Sequence, residues 1–290
     1  MRGGRLLDDG RAAGLALCLG LLAAPLTADF PVILQAICDP DLPTCDPSGV
    51  QGLRGVRQVA LSPDGKHAYA VGALDDALIV FSIDSASGKL TFVESFFDTD
   101  VGIDGLDSAR GVAVSPDGKN VYVAALVDSS ISWYDRDSST GALTFNDIIK
   151  DSDPGIDGLA GAHAVVVSPD DEHVYVAARS EDAVSAFSRS PATGDLTFVE
   201  FEKDGVGSVQ GLDAAEAIAV SPDGEHVYVA GENDSAVAAF ERETAAGSDF
   251  GKLTFLEAEV EGAGGVDGMT GANGVAVSPD GENVYVACER

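Results

Sequence analysis

Five polar residues occupy one repeated place in this chain: Arg57, Arg110, His163, Glu216 and Asn273. Each lies five residues before the serine of a recurring Ser-Pro-Asp phrase, and each follows a small or apolar residue: Val56, Ala109, Ala162, Ala215 and Ala272. Neighbouring positions repeat as apolar or small types, whereas this one varies and stays polar. The types suit acid–base chemistry. His163 titrates near neutrality and can give or take a proton. Arg57 and Arg110 can hold a carboxylate or stabilise an oxyanion. Glu216 can orient the histidine or polarise a water, and Asn273 can bond a ligand. The plainer alternative is that polar side chains merely satisfy a wet surface, with Arg and Glu compensating each other.

The elements that must position these residues come from the repeat. Its serines are Ser62, Ser115, Ser168, Ser221 and Ser278, spaced 53, 53, 53 and 57 residues, and the third copy reads Ser-Pro-Asp-Asp. A unit of this length cannot bury its apolar face alone, so neighbouring copies must stack. Each copy carries four strand signals. The first, as in Val112–Ser115, ends at the turn Pro116-Asp-Gly118. The second is β-branched and aromatic, as in Val121-Tyr-Val-Ala124. The third alternates, with its aromatic at Phe81, Tyr134, Phe187 and Phe240. The fourth starts at Leu90, Leu143, Leu196 and Leu253, just after Gly88, Gly141, Gly194 and Gly251. No stretch sustains a helical period.

The expected fold is therefore all-β: a β-propeller of four-stranded antiparallel blades. Residues 57–110, 110–163, 163–216 and 216–273 make four complete blades. A partial fifth starts near Asn273 and stops after its second strand, which suggests a truncated larger propeller. Phe30–Leu34 is an alternative source of an outer strand. The rotation relating blades would bring the five polar residues to one mouth of the central channel. An open edge at Val284 and Val286 invites self-association.

Composition limits the partners. The chain has 290 residues, 48 of them acidic and 17 basic, for a net charge of −31. Nucleic acid is excluded as a partner, because phosphates are repelled. Residues 1–28 resemble a secretory signal: Arg2, Arg5 and Arg11 precede an apolar run from Ala12 to Ala24. A secreted or periplasmic protein is expected, with no stable membrane insertion once the signal is removed. Residues 29–52 form a Cys/Pro-rich segment in which Cys38 and Cys45 are expected to close a small disulfide loop, and the propeller occupies 53–290. Cys288 replaces the small residue of the other copies and is expected to be buried.

The phrase Val-Ala-Val-Ser-Pro-Asp-Gly-x-x-Val-Tyr-Val-Ala, followed by Asp-x-Ala-Val-x-x-Phe and Thr-Gly-x-Leu-Thr-Phe, resembles the lactonase-like β-propeller family and its relatives with Tyr-Val-Thr-Asn-type repeats. The likeness covers about residues 50–290 and marks a scaffold more than a site. It implies that Arg57, Arg110, His163 and Glu216 are similar to the residue types of lactonising and lactone-hydrolysing propellers. Two functions follow. One is a secreted scaffold holding a protein or small-molecule ligand at the channel mouth. The other is a lactone hydrolase at the arc around His163, with a sugar-phosphate lactone the least suited substrate. No cofactor or metal is expected. The connector aspartates Asp98, Asp100 and Asp104, and Asp151, Asp153 and Asp157, match calcium ligands by type but not by EF-hand spacing. Asp75, Asp128, Glu181 and Asp234 are expected to serve the turn before the third strand, and His67, His173 and His226 to be structural.

Overall fold

The computed structural model describes residues 50–289. The expected signal at residues 1–28, the expected Cys38–Cys45 disulfide and the alternative outer strand Phe30–Leu34 all lie outside the described residues. Every regular element described is a strand. The first blade comprises β1 (Val56–Leu61), β2 (His67–Gly72), β3 (Ala77–Ile83) and β4 (Leu90–Phe97). The second comprises β5 (Ala109–Val114), β6 (Asn120–Ala125), β7 (Ser130–Arg136) and β8 (Leu143–Lys150). The third holds β9 (Ala162–Val167), β10 (His173–Ala178), β11 (Ala183–Arg189) and β12 (Leu196–Lys203). The fourth holds β13 (Ala215–Val220), β14 (His226–Gly231), β15 (Ala236–Arg242) and β16 (Leu253–Val260). A two-stranded sheet, β17 (Ala272–Val277) with β18 (Val284–Cys288), follows.

Each blade is an antiparallel meander in sequence order. The first strands β1, β5, β9, β13 and β17 pack against one another in series, so they are innermost. The second strands β2, β6 and β10 are buried along their whole length, β6 and β10 between neighbouring blades and β2 between the second blade and a cluster with Val50 and Leu53. That explains why they read as continuous apolar runs rather than alternating ones. The turn between first and second strands follows its sequence chemistry. Ser62 Oγ donates to Asp64 Oδ1 (2.6 Å) and accepts from His67 N (3.0 Å), while Gly65 takes φ of +68°. In the third copy Asp171 holds this left-handed position at +65°, and its carboxylate accepts the N–H of Asp117 in the preceding blade (3.2 Å).

The four complete blades are locked by a buried guanidinium at each of their three interfaces. Arg136 Nε donates to Tyr69 Oη (2.7 Å), Nη1 to the Gly118 carbonyl (2.8 Å) and Nη2 to Asp64 Oδ2 (3.0 Å), with His67 Nδ1 at 2.7 Å. Arg189 repeats this with Tyr122 and Asp117, with Asn120 in the histidine's place. Arg242 repeats it with Tyr175, Asp170 and His173. Buried charge is tolerated here because each guanidinium finds a carboxylate and further acceptors.

The fifth sheet departs from the expected burial. Tyr285 is 62% exposed where Tyr69, Tyr122 and Tyr175 are fully buried. Cys288 is half-buried, not buried as its repeat position suggests. Among the described residues no blade packs on the far face of β17–β18. Among them, too, no helix is long and apolar enough to cross a membrane.

Candidate functional site

All five polar residues sit at the same structural irregularity. Pairing jumps from Val56↔Gly72 to Gln58↔Val71, which leaves Arg57 as the extra residue of a β-bulge. The same jump occurs around Arg110, His163, Glu216 and Asn273. A bulged residue has no cross-strand partner, and the bulge re-aims its side chain. Innermost strands thus turn one polar side chain per blade out of the sheet at the same end.

The bulges are held from the preceding blade. Asp76 Oδ1 accepts the N–H of Ser108 (2.8 Å), and Asp182 Oδ1 that of Ala214 (2.9 Å). Ser129 Oγ and Ser235 Oγ accept from Gly161 and Gly271 (3.1 Å each). Ser108 and Ala214 have φ of +55°, a left-handed conformation that non-glycine residues adopt at a cost. Strained backbone two residues ahead of a bulge is therefore fixed by the turn of the blade before it.

The structure brings four of the five residues into one electrostatic unit. His163 Nδ1 lies 2.8 Å from the backbone carbonyl of Glu216. A carbonyl only accepts, so Nδ1 carries the hydrogen and Nε2 keeps its lone pair. Burial pushes the His163 pKa down to about 4. The Glu216 hydrogen bond opposes that, and Arg110, Arg179 and Arg57 push further down. Burial, then the Arg57 charge, lowers the Arg110 pKa, while Glu216 opposes. Burial raises the Glu216 carboxyl, against its bond to Arg179.

Arg179, which lies outside the five repeat positions, joins this unit. Its Nε donates to Glu216 Oε1 and its Nη2 to Glu232 Oε2, both at 2.7 Å. It stands directly after the second strand, where the copies read Ala73, Leu126, Arg179, Glu232 and Glu289. That position varies as freely as the bulge, which was the available signal. The expected role of Glu216 also changes. Its carbonyl, freed from the ladder by the bulge, orients His163, whereas its carboxylate is committed to Arg179. Asn273 stands apart, with Nδ2 3.4 Å from Glu289 Oε2.

The other sequence candidates resolve structurally. Asp98 Oδ1 and Asp151 Oδ1 accept the N–H groups of Leu106 and Leu159, closing their connectors (2.9 and 2.8 Å). Lys150 Nζ reaches Asp104 (2.7 Å) and Asp128 (3.3 Å), and Lys203 pairs with Glu181, so a lysine ammonium sits at each acidic group. Asp75, Asp128 and Asp234 do not serve the turn at which they sit. Each accepts an N–H from the connector entering its own blade, at Arg54, Asp107 and Asp213. A polar cleft of about 530 Å³ lies between blades two and three, at the strand ends opposite the bulges. Its groups bond one another: Asn120 Nδ2 and Asn146 Nδ2 both donate to Asp135 Oδ1 (2.9 and 3.2 Å).

Comparison with known proteins decides the family. The family description "Lactonase, 7-bladed beta-propeller" matches residues 39–153, 108–208 and 209–289. The chain belongs to the seven-bladed β-propeller lactonase family. Within it, the chain is 29% identical over 90 residues to the 6-phosphogluconolactonase of Pectobacterium carotovorum, covering 31% of this chain and 27% of that protein. It is likewise 29% identical over 92 residues to the enzyme of that name from Pectobacterium atrosepticum, covering 31% and 28%. The match thus spans about a quarter of each relative's length. Among solved structures it resembles the periplasmic gluconolactonase of Pseudomonas aeruginosa, with TM-score 0.59 at 20% identity, over 79% of this chain and 63% of that one. It also resembles a Lactobacillus plantarum protein, with TM-score 0.56 at 22% identity, over 71% and 55%. These last likenesses are of fold.

Proposed function

We propose that the bulge residues around His163 form a lactone-hydrolysing site. The observation that carries this reading is the state of His163: a neutral imidazole whose Nδ1–H is committed to a carbonyl, leaving Nε2 as acceptor beside the Arg110 charge. His163 Nε2 takes a proton from water while the water oxygen bonds to the lactone carbonyl carbon. The carbonyl electron pair moves onto its oxygen, and Arg110 with Arg57 stabilises that oxyanion. Collapse reforms the C=O and breaks the ring C–O bond. The departing ring oxygen recovers the proton from His163, giving a hydroxy acid whose carboxylate the same guanidiniums neutralise. Arg179 acts indirectly, fixing Glu216 and so the carbonyl that orients the imidazole.

The relatives' names support a sugar lactone as substrate. The net charge of −31 opposes a phosphate dianion and favours an unphosphorylated lactone. The signal-like residues 1–28, together with the periplasmic Pseudomonas aeruginosa protein of like fold, support action outside the cytosol. Family membership favours hydrolysis over the scaffold role that the repeat alone suggested. The test is pH-stat hydrolysis of glucono-δ-lactone and 6-phosphogluconolactone by the full chain and by His163→Ala. The expected result is turnover of the unphosphorylated lactone that falls at least a hundredfold in the variant. Hydrolysis of neither lactone above the buffer rate would overturn the enzymatic reading and leave the scaffold.

A further inference from the structure

The polar cleft between blades two and three is built from residues that the two flanking interfaces do not carry. Blade two contributes Asn120 from β6, Asp135 from β7 and Asn146 from β8. Asn120 stands where the other complete blades have His67, His173 and His226, and Asp135 where they have Ser82, Ser188 and Glu241. Asn146 replaces Val93, Val199 and Leu256. Blade three supplies the facing wall from the turn before β12, with Thr193 and Asp195.

The flanking interfaces are closed at this place by devices that the cleft lacks. Between blades three and four, Phe250 stands in the turn where blade three has Thr193, and its ring meets the His173 ring edge-on at 4.4 Å. At both flanking interfaces a glutamate straps one blade to the next: Glu94 accepts the N–H of Leu143, and Glu200 that of Leu253, both at 2.7 Å. Blade two has the shorter Asp147 at that position, and its carboxylate accepts the N–H of Ile148 in its own strand (2.9 Å). The seam therefore opens to about 530 Å³, within the usual range for small-ligand sites of about 300–1,000 Å³.

The lining offers donors and acceptors together. Asp135 Oδ1 accepts from Asn120 and Asn146, and Asn146 Nδ2 also donates to the Thr193 carbonyl across the seam (3.3 Å). Thr193 Oγ1 donates to Asp195 Oδ2 (2.8 Å). These bonds fix the side chains and leave Asp135 Oδ2, Asn146 Oδ1 and Asp195 Oδ1 without a bond among the described residues. Lys119 Nζ bonds the Pro191 carbonyl (3.2 Å) and Asp117 (2.9 Å), which leaves it a further N–H. An anion here would meet two carboxylates, and a cation would meet Lys119 and the Arg136 guanidinium on the same lining. A hydroxyl donates to a carboxylate and accepts from an ammonium, so a neutral ring bearing several hydroxyls suits every group.

We propose that this cleft binds a neutral carbohydrate, separately from the bulge residues at the opposite strand ends. Sugar hydroxyls donate to Asp135 and Asp195 and accept from Lys119, and Asn146 holds Asp135 in place.

The probes are maltose, cellobiose and lactose, with spermidine and gluconate as charged comparators, each titrated into the full chain and followed by saturation-transfer NMR. Saturable binding of at least one disaccharide is expected. Asn146→Val and Asp135→Ser copy the residues of blades one and three, and each should weaken that binding tenfold or more. Thr193→Phe copies Phe250 and should abolish it. Far-UV circular dichroism and urea midpoints check that the variants keep the fold. The proposal is overturned if no disaccharide binds saturably, or if any of the three folded variants binds the sugar as the parent does. It is likewise overturned if spermidine or gluconate is the probe whose binding Thr193→Phe removes.

Discussion

His163 Nδ1 sits 2.8 Å from the main-chain carbonyl of Glu216, one blade further on, and this contact fixes which imidazole nitrogen can act. The bond joins two bulge residues, so it exists only because both strands are irregular at the same place.

The acid limb of activity should reflect that environment. A histidine at its ordinary value would lose base activity below about pH 6.5. With burial and three arginines holding His163 down to about 4, turnover should stay level from pH 7 to about 5 and fall only near 4. A pH-rate profile with its acid midpoint near 6.5 would contradict this.

Arg110→Gln should lower kcat by about two to three orders of magnitude, the scale for losing one oxyanion donor. It should also move the acid midpoint upward, because a charge that depresses His163 is removed. Arg110→Lys keeps the charge without the planar fork and should recover the midpoint more than the rate. Steady-state kinetics across pH separate the two effects.

Arg179→Met should leave Glu216 and Glu232 facing each other without their shared cation. The expected outcome is a modest stability loss of about 1 kcal/mol, since the pair is partly solvent-screened. A drop in kcat of about tenfold with little change in KM is expected alongside it, as for a residue acting through His163. Denaturant titration and kinetics check both.

Arg189→Met should unfold more readily by about 3 kcal/mol, because it strands Asp117, Asn120 and the Tyr122 hydroxyl inside the interface. Tyr122→Phe removes two hydrogen bonds, the one accepted from Arg189 Nε and the one donated to the Gly194 carbonyl, and should cost about 2 kcal/mol. Urea midpoints at constant m give the comparison.

Acid should weaken the fold through His173. Burial first, then the Arg242 charge, lowers its pKa to about 4 from the ordinary 6.5, with Asp170 opposing. As pH falls below 6.5 the unfolded chain binds the proton and the folded one does not, so stability declines down to about pH 4 and then levels. The slope is at most about 1.4 kcal/mol per pH unit for this group. His173→Asn, which copies Asn120, should flatten the decline while losing some packing against Phe250 at pH 7. Melting temperatures at pH 7 and 4.5 measure the difference.

Much of this architecture was legible in the residues. The 53-residue repeat, its turn phrase and its four strand signals specify four-stranded blades, because those patterns are local and each copy repeats the same physics. Even the bulge position stood out, as one variable polar residue in an otherwise uniform frame. What the residues could not disclose was how strands register and which blade supplies each partner. The bulge itself is a mismatch between two strands. Arg179 meets Glu216 and Glu232 only across a blade boundary, and the Glu216 carbonyl turns to His163 only when the ladder releases it. Those relations depend on packing between repeats. Local residue patterns therefore specify the blade and the side chains it can offer, while packing between blades selects which nitrogen, carbonyl and cation come together.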